Sequence, residues 1–279
     1  MEIRFANEND FSTILEKIDL FFGKEKGYFT ALVPTLYREG YNSFRNHVVA
    51  ISNDKIVGVL AFKNKYLLLD KTKYKISVLG TICVDKNFRN QGVMSEMINY
   101  LFQNNGNIDC YALIGNPLLY GRFGFKKVQD SVLYDIVGDN IFFDFEKIEC
   151  NSSIDFIKEL YNSKKNRVLR DSFVNHLLMW NNEAYKIKSD STEIGYLIYN
   201  PKKNIIEEIE LIKDDYIVDA VKSFSCLKKE TMKIKINKHN IDKQRYFSSF
   251  ISERFEEKLL IKTSKKELEN LFVLSADMI

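Results

Sequence analysis

Residues 77–125 read SVLGTICVDKNFRNQGVMSEMINYLFQNNGNIDCYALIGNPLLYGRFGF, in the order strand, basic glycine-bearing loop, amphipathic helix, strand, short helix. The run 78–84 is apolar, rich in β-branched residues and bounded by turn formers, as a buried strand is. From Gly92 onward, Val93, Met94, Met97, Ile98, Leu101 and Phe102 recur at spacings of three and four. That stripe is one apolar helix face, able to lie on a sheet.

Between strand and helix stands Phe88-Arg89-Asn90-Gln91-Gly92-Val93-Met94. A helix start presents unpaired backbone N–H groups and the positive end of its dipole. Gly92 lets a ligand approach the backbone, and Arg89 adds a permanent charge, so the loop is an anion cradle suited to a pyrophosphate. Arg-x-x-Gly by itself is a weak pattern, read equally well as a surface arginine before a helix-starting glycine. Its weight comes from the downstream segments: a second apolar strand at 110–114, then Gly115-Asn116-Pro117-Leu118-Leu119-Tyr120-Gly121-Arg122-Phe123-Gly124-Phe125.

Together the two segments resemble the GCN5-related N-acetyltransferase (GNAT) superfamily, whose pyrophosphate loop reads Arg/Gln-x-x-Gly-x-Gly/Ala and is followed by a Leu-Tyr-x-x-x-Gly-Phe signature. Arg89 and Gly92 match; Met94 stands where Gly or Ala is usual. The branch similar to the enhanced intracellular survival protein carries a larger apolar residue there, and Tyr-Gly-Arg-Phe-Gly-Phe is typical of it. The resemblance covers about residues 2–136. It implies an α/β fold of the α+β mixed-sheet kind and acetyl-coenzyme A as cosubstrate. Ile82, Cys83 and Val84 would pair through their backbone with the pantetheine amides. Arg89, Asn90, Gln91, Gly92, Val93 and Met94 would hold the pyrophosphate, with Asn116 also at the cofactor. Tyr120 would be the general acid, and in the tandem branch a C-terminal carboxylate, here that of Ile279, is a candidate base.

Length and composition agree with two domains. The 279 residues are long for one domain, and 45% hydrophobic with 13% aromatic residues can build real cores. With 41 Lys and Arg against 38 Asp and Glu, the net charge of +3 does not suggest a nucleic-acid or membrane partner. Cys83, Cys110, Cys150 and Cys226 show no paired spacing, which fits reduced thiols and a cytoplasmic location. His47, His176 and His239 are isolated from one another, so no metal site is expected. No apolar run approaches the roughly 20 residues of a membrane span, and no leader pattern opens the chain. Homo-oligomerisation is left open.

Along the chain, a strand at 2–5 precedes a helix stopped at Gly23 and a second helix at 28–37 that Pro34 should break. In such a fold these overhang the acceptor cleft, which makes Glu25, Tyr28, Tyr37 and Glu39 candidate acceptor contacts or plain surface residues. Strands at 47–52 and 55–63 turn at Asn53-Asp54, a tight-hairpin pair; 75–85 comes next, and 132–136 closes the first sheet. The expected division is 1–150 and 151–279. The second part repeats the order of elements, ending with a strand at 258–262, a helix at 265–274 and a tail; it is too short to include the sterol-carrier-like domain that the survival-protein branch carries. At the place of the pyrophosphate loop it has Lys213-Asp214-Asp215-Tyr216, two carboxylates and no glycine. Carboxylates repel a polyanion at a helix start. The second part therefore reads as a degenerate GNAT-like domain without coenzyme A, with an unrelated α+β domain as the alternative.

Acetyl transfer releases a thiolate that needs a proton. A phenol titrating near 10 stays protonated at neutral pH and can give its proton to a departing thiolate whose thiol titrates near 8.5. Tyr120 fits that part, against the alternative of a packed aromatic. The expected activity is acetyl-coenzyme A dependent N-acetylation of a primary amine on a small molecule or peptide by direct attack. Transfer of another acyl group and a non-catalytic coenzyme A binding module are the alternatives.

Overall fold

The computed structural model describes residues 1–38, 43–128, 130–238, 240–256 and 258–269. The chain opens with β1 (Glu2–Phe5), α1 (Phe11–Phe21), α2 (Tyr28–Leu32) and α3 (Pro34–Tyr37). Val33, at φ −135°, separates the last two where Pro34 cannot continue a helix. Next come β2 (His47–Ser52), β3 (Lys55–Leu69) and β4 (Thr72–Val84). Asn53 and Asp54, at φ 48° and 57°, form the tight turn between β2 and β3. The β3–β4 hairpin runs past the expected strands because Leu67 and Leu69 pack into the same core as Val59 and Ala61. After it stand α4 (Val93–Asn104), β5 (Cys110–Ile114), α5 (Pro117–Tyr120) and β6 (Lys126–Lys127).

The rest of the chain forms β7 (Ser131–Ile136), β8 (Asp144–Lys147), α6 (Asp155–Asn162), β9 (Arg167–Val168), α7 (Phe173–Leu178), β10 (Glu183–Ser189), β11 (Thr192–Asn200) and β12 (Ile205–Leu211). It ends in α8 (Ile217–Lys228), β13 (Met232–Asn237), α9 (Ile241–Tyr246), β14 (Ser252–Phe255) and β15 (Leu259–Thr263).

Two mixed sheets result. The first has the order β1-β2-β3-β4-β5-β15-β6, with β9 also on β3; the second has the order β8-β10-β11-β12-β13-β7-β14. Each runs antiparallel except for one parallel join, β4 with β5 and β12 with β13. The sheets exchange a strand. β15, from late in the chain, lies between β5 and β6, and β7, from before residue 150, lies between β13 and β14. This corrects the expectation that 132–136 closes the first sheet and 258–262 the second. Both strands are apolar enough to be buried between two neighbours, and alternation does not say in which sheet. The sheets accordingly do not divide at residue 150.

Both faces of the first sheet are covered. Val48, Ala50, Leu60, Phe62 and Leu79 face α4 through Val93, Met97, Ile98 and Leu101. Val49, Val59, Ala61, Ile76 and Val78 face α1–α3 and, from the other half, Val168 and Met179. The second sheet buries Ile217, Val221 and Phe224 of α8 on one face and Ile157, Tyr161, Phe173 and Leu177 on the other.

Candidate active site

The first sheet opens where its parallel join ends. β4 pairs with β5 from Ile76 to Leu79, yet stays paired with β3 as far as Val84. Residues 80–84 thus splay from β5, with their backbone on that side available to a ligand rather than to a ladder.

The loop after β4 is built by local hydrogen bonds. The Asp85 carboxylate accepts from the Asn87 N–H at 2.9 Å, and the Gln91 side-chain amide donates to the Asn87 carbonyl at 2.9 Å. The Arg89 Nε donates to the Val84 carbonyl at 3.1 Å, which sets the guanidinium at the strand end. Asn90 and Gly92 take left-handed φ of 62° and 84°, and helix α4 begins at Val93. Its first turn has N–H groups that no helix residue can accept.

A cleft of about 780 Å³ lies over this loop, lined by residues of α1, β4, the loop, α4 and the turn after α5. Of the residues expected from sequence, Ile82, Cys83, Val84, Arg89, Asn90, Gly92, Val93 and Met94 line it. Gln91, Asn116 and Tyr120 are not part of its lining: Gln91 braces the loop, Asn116 caps α5 by accepting from the Leu118 N–H at 2.9 Å, and Tyr120 sits behind the lining residues Leu119 and Arg122. Phe21, Phe22, Phe88, Ser95, Leu119 and Arg122 also line the cleft and escaped the sequence reading. Arg122 had a signal, its place in the Tyr-Gly-Arg-Phe run; Phe21 and Phe22 come from a distant helix and had none. Among the described residues the lining holds two cations, Arg89 and Arg122, and no carboxylate. The field favours an anion.

Tyr120 lies between Leu119 and Arg122, which both line the cleft. Its ring rests on Gly115, where a Cβ would come within 2.5 Å of Tyr120 Cε2, and meets Phe125 edge-on at 6.2 Å. Burial pushes the phenol above its ordinary pKa, so it is protonated at neutral pH. Burial likewise pushes the Cys83 thiol up to about 12, which removes it as a thiolate nucleophile.

The expected acceptor contacts separate. Tyr28 is exposed, whereas Tyr37 is fully buried. Glu39, His239 and Ile279 lie outside the described residues. Among the described residues no group of His, Cys, Asp and Glu could hold a metal, and no helix is long and apolar enough to cross a membrane.

Residues 2–128 match the family described as the acetyltransferase (GNAT) domain. That span, a little under half of the chain, is similar to this acetyltransferase domain. The splayed β4 and the loop at the start of α4 both fall inside that match. No curated protein matches the chain in sequence.

Beyond that span, solved structures match in fold across both sheets. A GCN5-related N-acetyltransferase from Anabaena variabilis has 14% identity and a TM-score of 0.67 over 93% of this chain and 72% of its own. One from Kribbella flavida has 10% identity and a TM-score of 0.68 over 93% and 70%. Eis1 from Mycobacterium abscessus has 12% identity and a TM-score of 0.60 over 94% and 74%.

The second sheet repeats the strand order of the first, but its matching region is differently furnished. β12 pairs with β13 only at Ile205 and Ile206. Beyond that point Glu207 meets Lys235 at 2.6 Å, Glu208 meets Arg170 at 2.7 Å, and Glu210 meets Lys243 at 3.1 Å. Arg170 and Glu208 are 0% and 1% exposed. Such pairs are costly to break once buried.

Proposed function

We propose that this chain transfers the acetyl group of acetyl-coenzyme A to a primary amine of a small molecule or peptide by direct attack. The observation that carries the reading is one cleft that combines a splayed strand, an anion cradle at a helix start and two arginines. The backbone of Ile82, Cys83 and Val84 pairs with the pantetheine amides. Arg89 and the N–H groups around Gly92, Val93 and Met94 hold the pyrophosphate, and Arg122 adds a second charge. Asn90 and Gln91 shape the loop, and Asn116 starts the helix that carries Tyr120.

In the reaction the amine nitrogen attacks the thioester carbonyl, the C–S bond breaks, and the thiolate takes the Tyr120 hydroxyl proton. The amine's proton leaves to solvent water or to the Ile279 carboxylate, the two acceptors this reading keeps open. Direct attack is supported by Cys83, whose thiol burial keeps neutral.

The test is a screen of primary amines with acetyl-coenzyme A, read by release of free thiol, beside calorimetry of coenzyme A. We expect turnover on an amine and one coenzyme A site per chain, the second half binding none. Two sites would overturn the degenerate second unit. Tight coenzyme A binding without turnover on any amine would leave a binding module.

A further inference from the structure

Behind the splayed strand, on the face covered by α1–α3, three side chains meet. The His47 Nδ1 donates to the Ser43 carbonyl at 2.8 Å. With the ring neutral, its Nε2 is then a lone-pair acceptor. That Nε2 is fully buried and has no hydrogen-bond partner. The Tyr37 hydroxyl, a donor, is also buried and has no partner of acceptable geometry. The two rings lie 5.5 Å apart between centroids, tilted by 45°. The Tyr37 hydroxyl lies beside Thr81.

Sheet register explains why these residues share one place. His47 of β2 stands opposite Ala61 of β3. On its other side Ala61 faces an irregularity: Leu60 pairs with Ile82 and Phe62 with Leu79, so Gly80 and Thr81 together stand where Ala61 does. Ala61 is thus a small residue beside a bulge, and Tyr37 has both His47 and Thr81 as neighbours there. An orphaned donor and an orphaned acceptor at one site are complementary, and a buried water normally bonds two to four such groups.

We infer that the Tyr37 hydroxyl, His47 Nε2 and Thr81 hold one internal water molecule, and that Tyr37 and His47 are thereby positioning residues for the splayed length of β4. This rests on the reading of residues 82–84 as the thioester strand. The water ties the bulge to β2 across Ala61, fixing the strand against which the acetyl carbonyl must be presented. Burial holds the His47 pKa down to about 4, so the ring is a fixed acceptor and not a base for the amine.

The test uses the full chain and the variants Tyr37→Phe, His47→Asn and His47→Gln. Asn keeps a donor toward the Ser43 carbonyl but lacks an acceptor at the Nε2 place; Gln offers one there. A misplaced strand costs rate, so Tyr37→Phe and His47→Asn should each lower kcat roughly ten- to a hundredfold, with KM for acetyl-coenzyme A nearly unchanged and His47→Gln partly restored. The double variant should be no slower than the slower single, because either change removes the same water. Parent-like kcat in both singles, or effects that multiply, would overturn the inference. A high-resolution crystal structure reads the water independently of turnover: density bonded to both side chains, lost in Tyr37→Phe, supports it even in a chain without acetyltransferase activity. A direct Tyr37–His47 hydrogen bond with no water overturns it whatever the activity.

Discussion

The Lys262 Nζ donates a 2.8 Å hydrogen bond to the Phe123 carbonyl, so the exchanged strand β15 holds the turn that carries Tyr120 and Arg122. The same ammonium lies 3.9 Å from the centre of the Phe102 ring. Phe102 stacks toward Phe125 at 6.2 Å, and Phe125 meets Tyr120 at 6.2 Å, closing a ring of contacts around residues 120–125. A cation at the end of a helical turn also suits the local dipole. Late sequence thereby supports the cleft of the early sequence.

Lys262→Met should keep the stem and lose both interactions of the ammonium. A hydrogen bond to a charged group is worth about 1.5–3 kcal/mol, so chemical denaturation should show a loss of that order. Coenzyme A affinity should fall with it, since Arg122 shares the turn, and Lys262→Arg should recover much of both. Unchanged stability and affinity would mean that the turn holds itself.

At Gly92 a Cβ would meet nothing within 4 Å, so substitution acts through backbone and charge rather than through a clash. Gly92→Ala should cost about 1–3 kcal/mol for the left-handed φ and weaken coenzyme A modestly. Gly92→Asp adds a negative charge at the pyrophosphate cradle and should abolish binding in calorimetry. A folded Gly92→Asp chain that bound as tightly as the parent would remove the loop from the site.

Tyr120→Phe keeps the ring on Gly115 and takes away the proton. Turnover should fall by about 10² to 10⁴ if thiolate departure limits the reaction, with coenzyme A affinity nearly unchanged. An acyl donor whose thiol has a lower pKa needs less protonation and should recover part of the rate. Gly115→Ala should also be slow on every donor, because its Cβ displaces the Tyr120 ring. Equal loss on all donors for Tyr120→Phe would make the hydroxyl an orienting group.

His47 and Glu183 are two of the groups that make stability depend on acid. Burial lowers the His47 pKa from 6.5 to about 4, so the unfolded chain binds the extra proton. Its contribution is complete above about pH 6.5 and is lost as pH falls toward 4. Burial raises the Glu183 pKa, but hydrogen bonds from Lys147, Tyr185 and Lys228 outweigh it and hold the carboxyl at about 2. Its contribution is complete above about pH 4.5 and is lost as pH falls toward 2. The His47 contribution is worth about 3 kcal/mol at most, and that of Glu183 less, because water screens its partly exposed ion pairs. Urea midpoints against pH should lose the upper slope in His47→Gln and the lower slope in Glu183→Gln; identical profiles would contradict both assignments.

The sequence by itself determined the local parts. The helix opening at Gly92, the hairpin at Asn53-Asp54 and the break at Pro34 each depend on residues a few positions apart, and each is where the pattern put it. The proposed cradle draws on the same kind of local information: Arg89, Gly92 and the start of α4 are neighbours along the chain. Tertiary structure decided what distant segments do to one another. Strands 131–136 and 259–263 carry patterns that fit either sheet, and only long-range pairing assigned them to opposite ones. Arg122 joined Arg89, Phe21 and Phe22 reached Cys83, and Lys262 reached Phe123 through that same packing. Tyr37 shows the limit most plainly. Its sequence position suggested an exposed acceptor contact, but the register that sets Ala61 under the β4 bulge draws the ring inward, and no local pattern encodes a register between three strands.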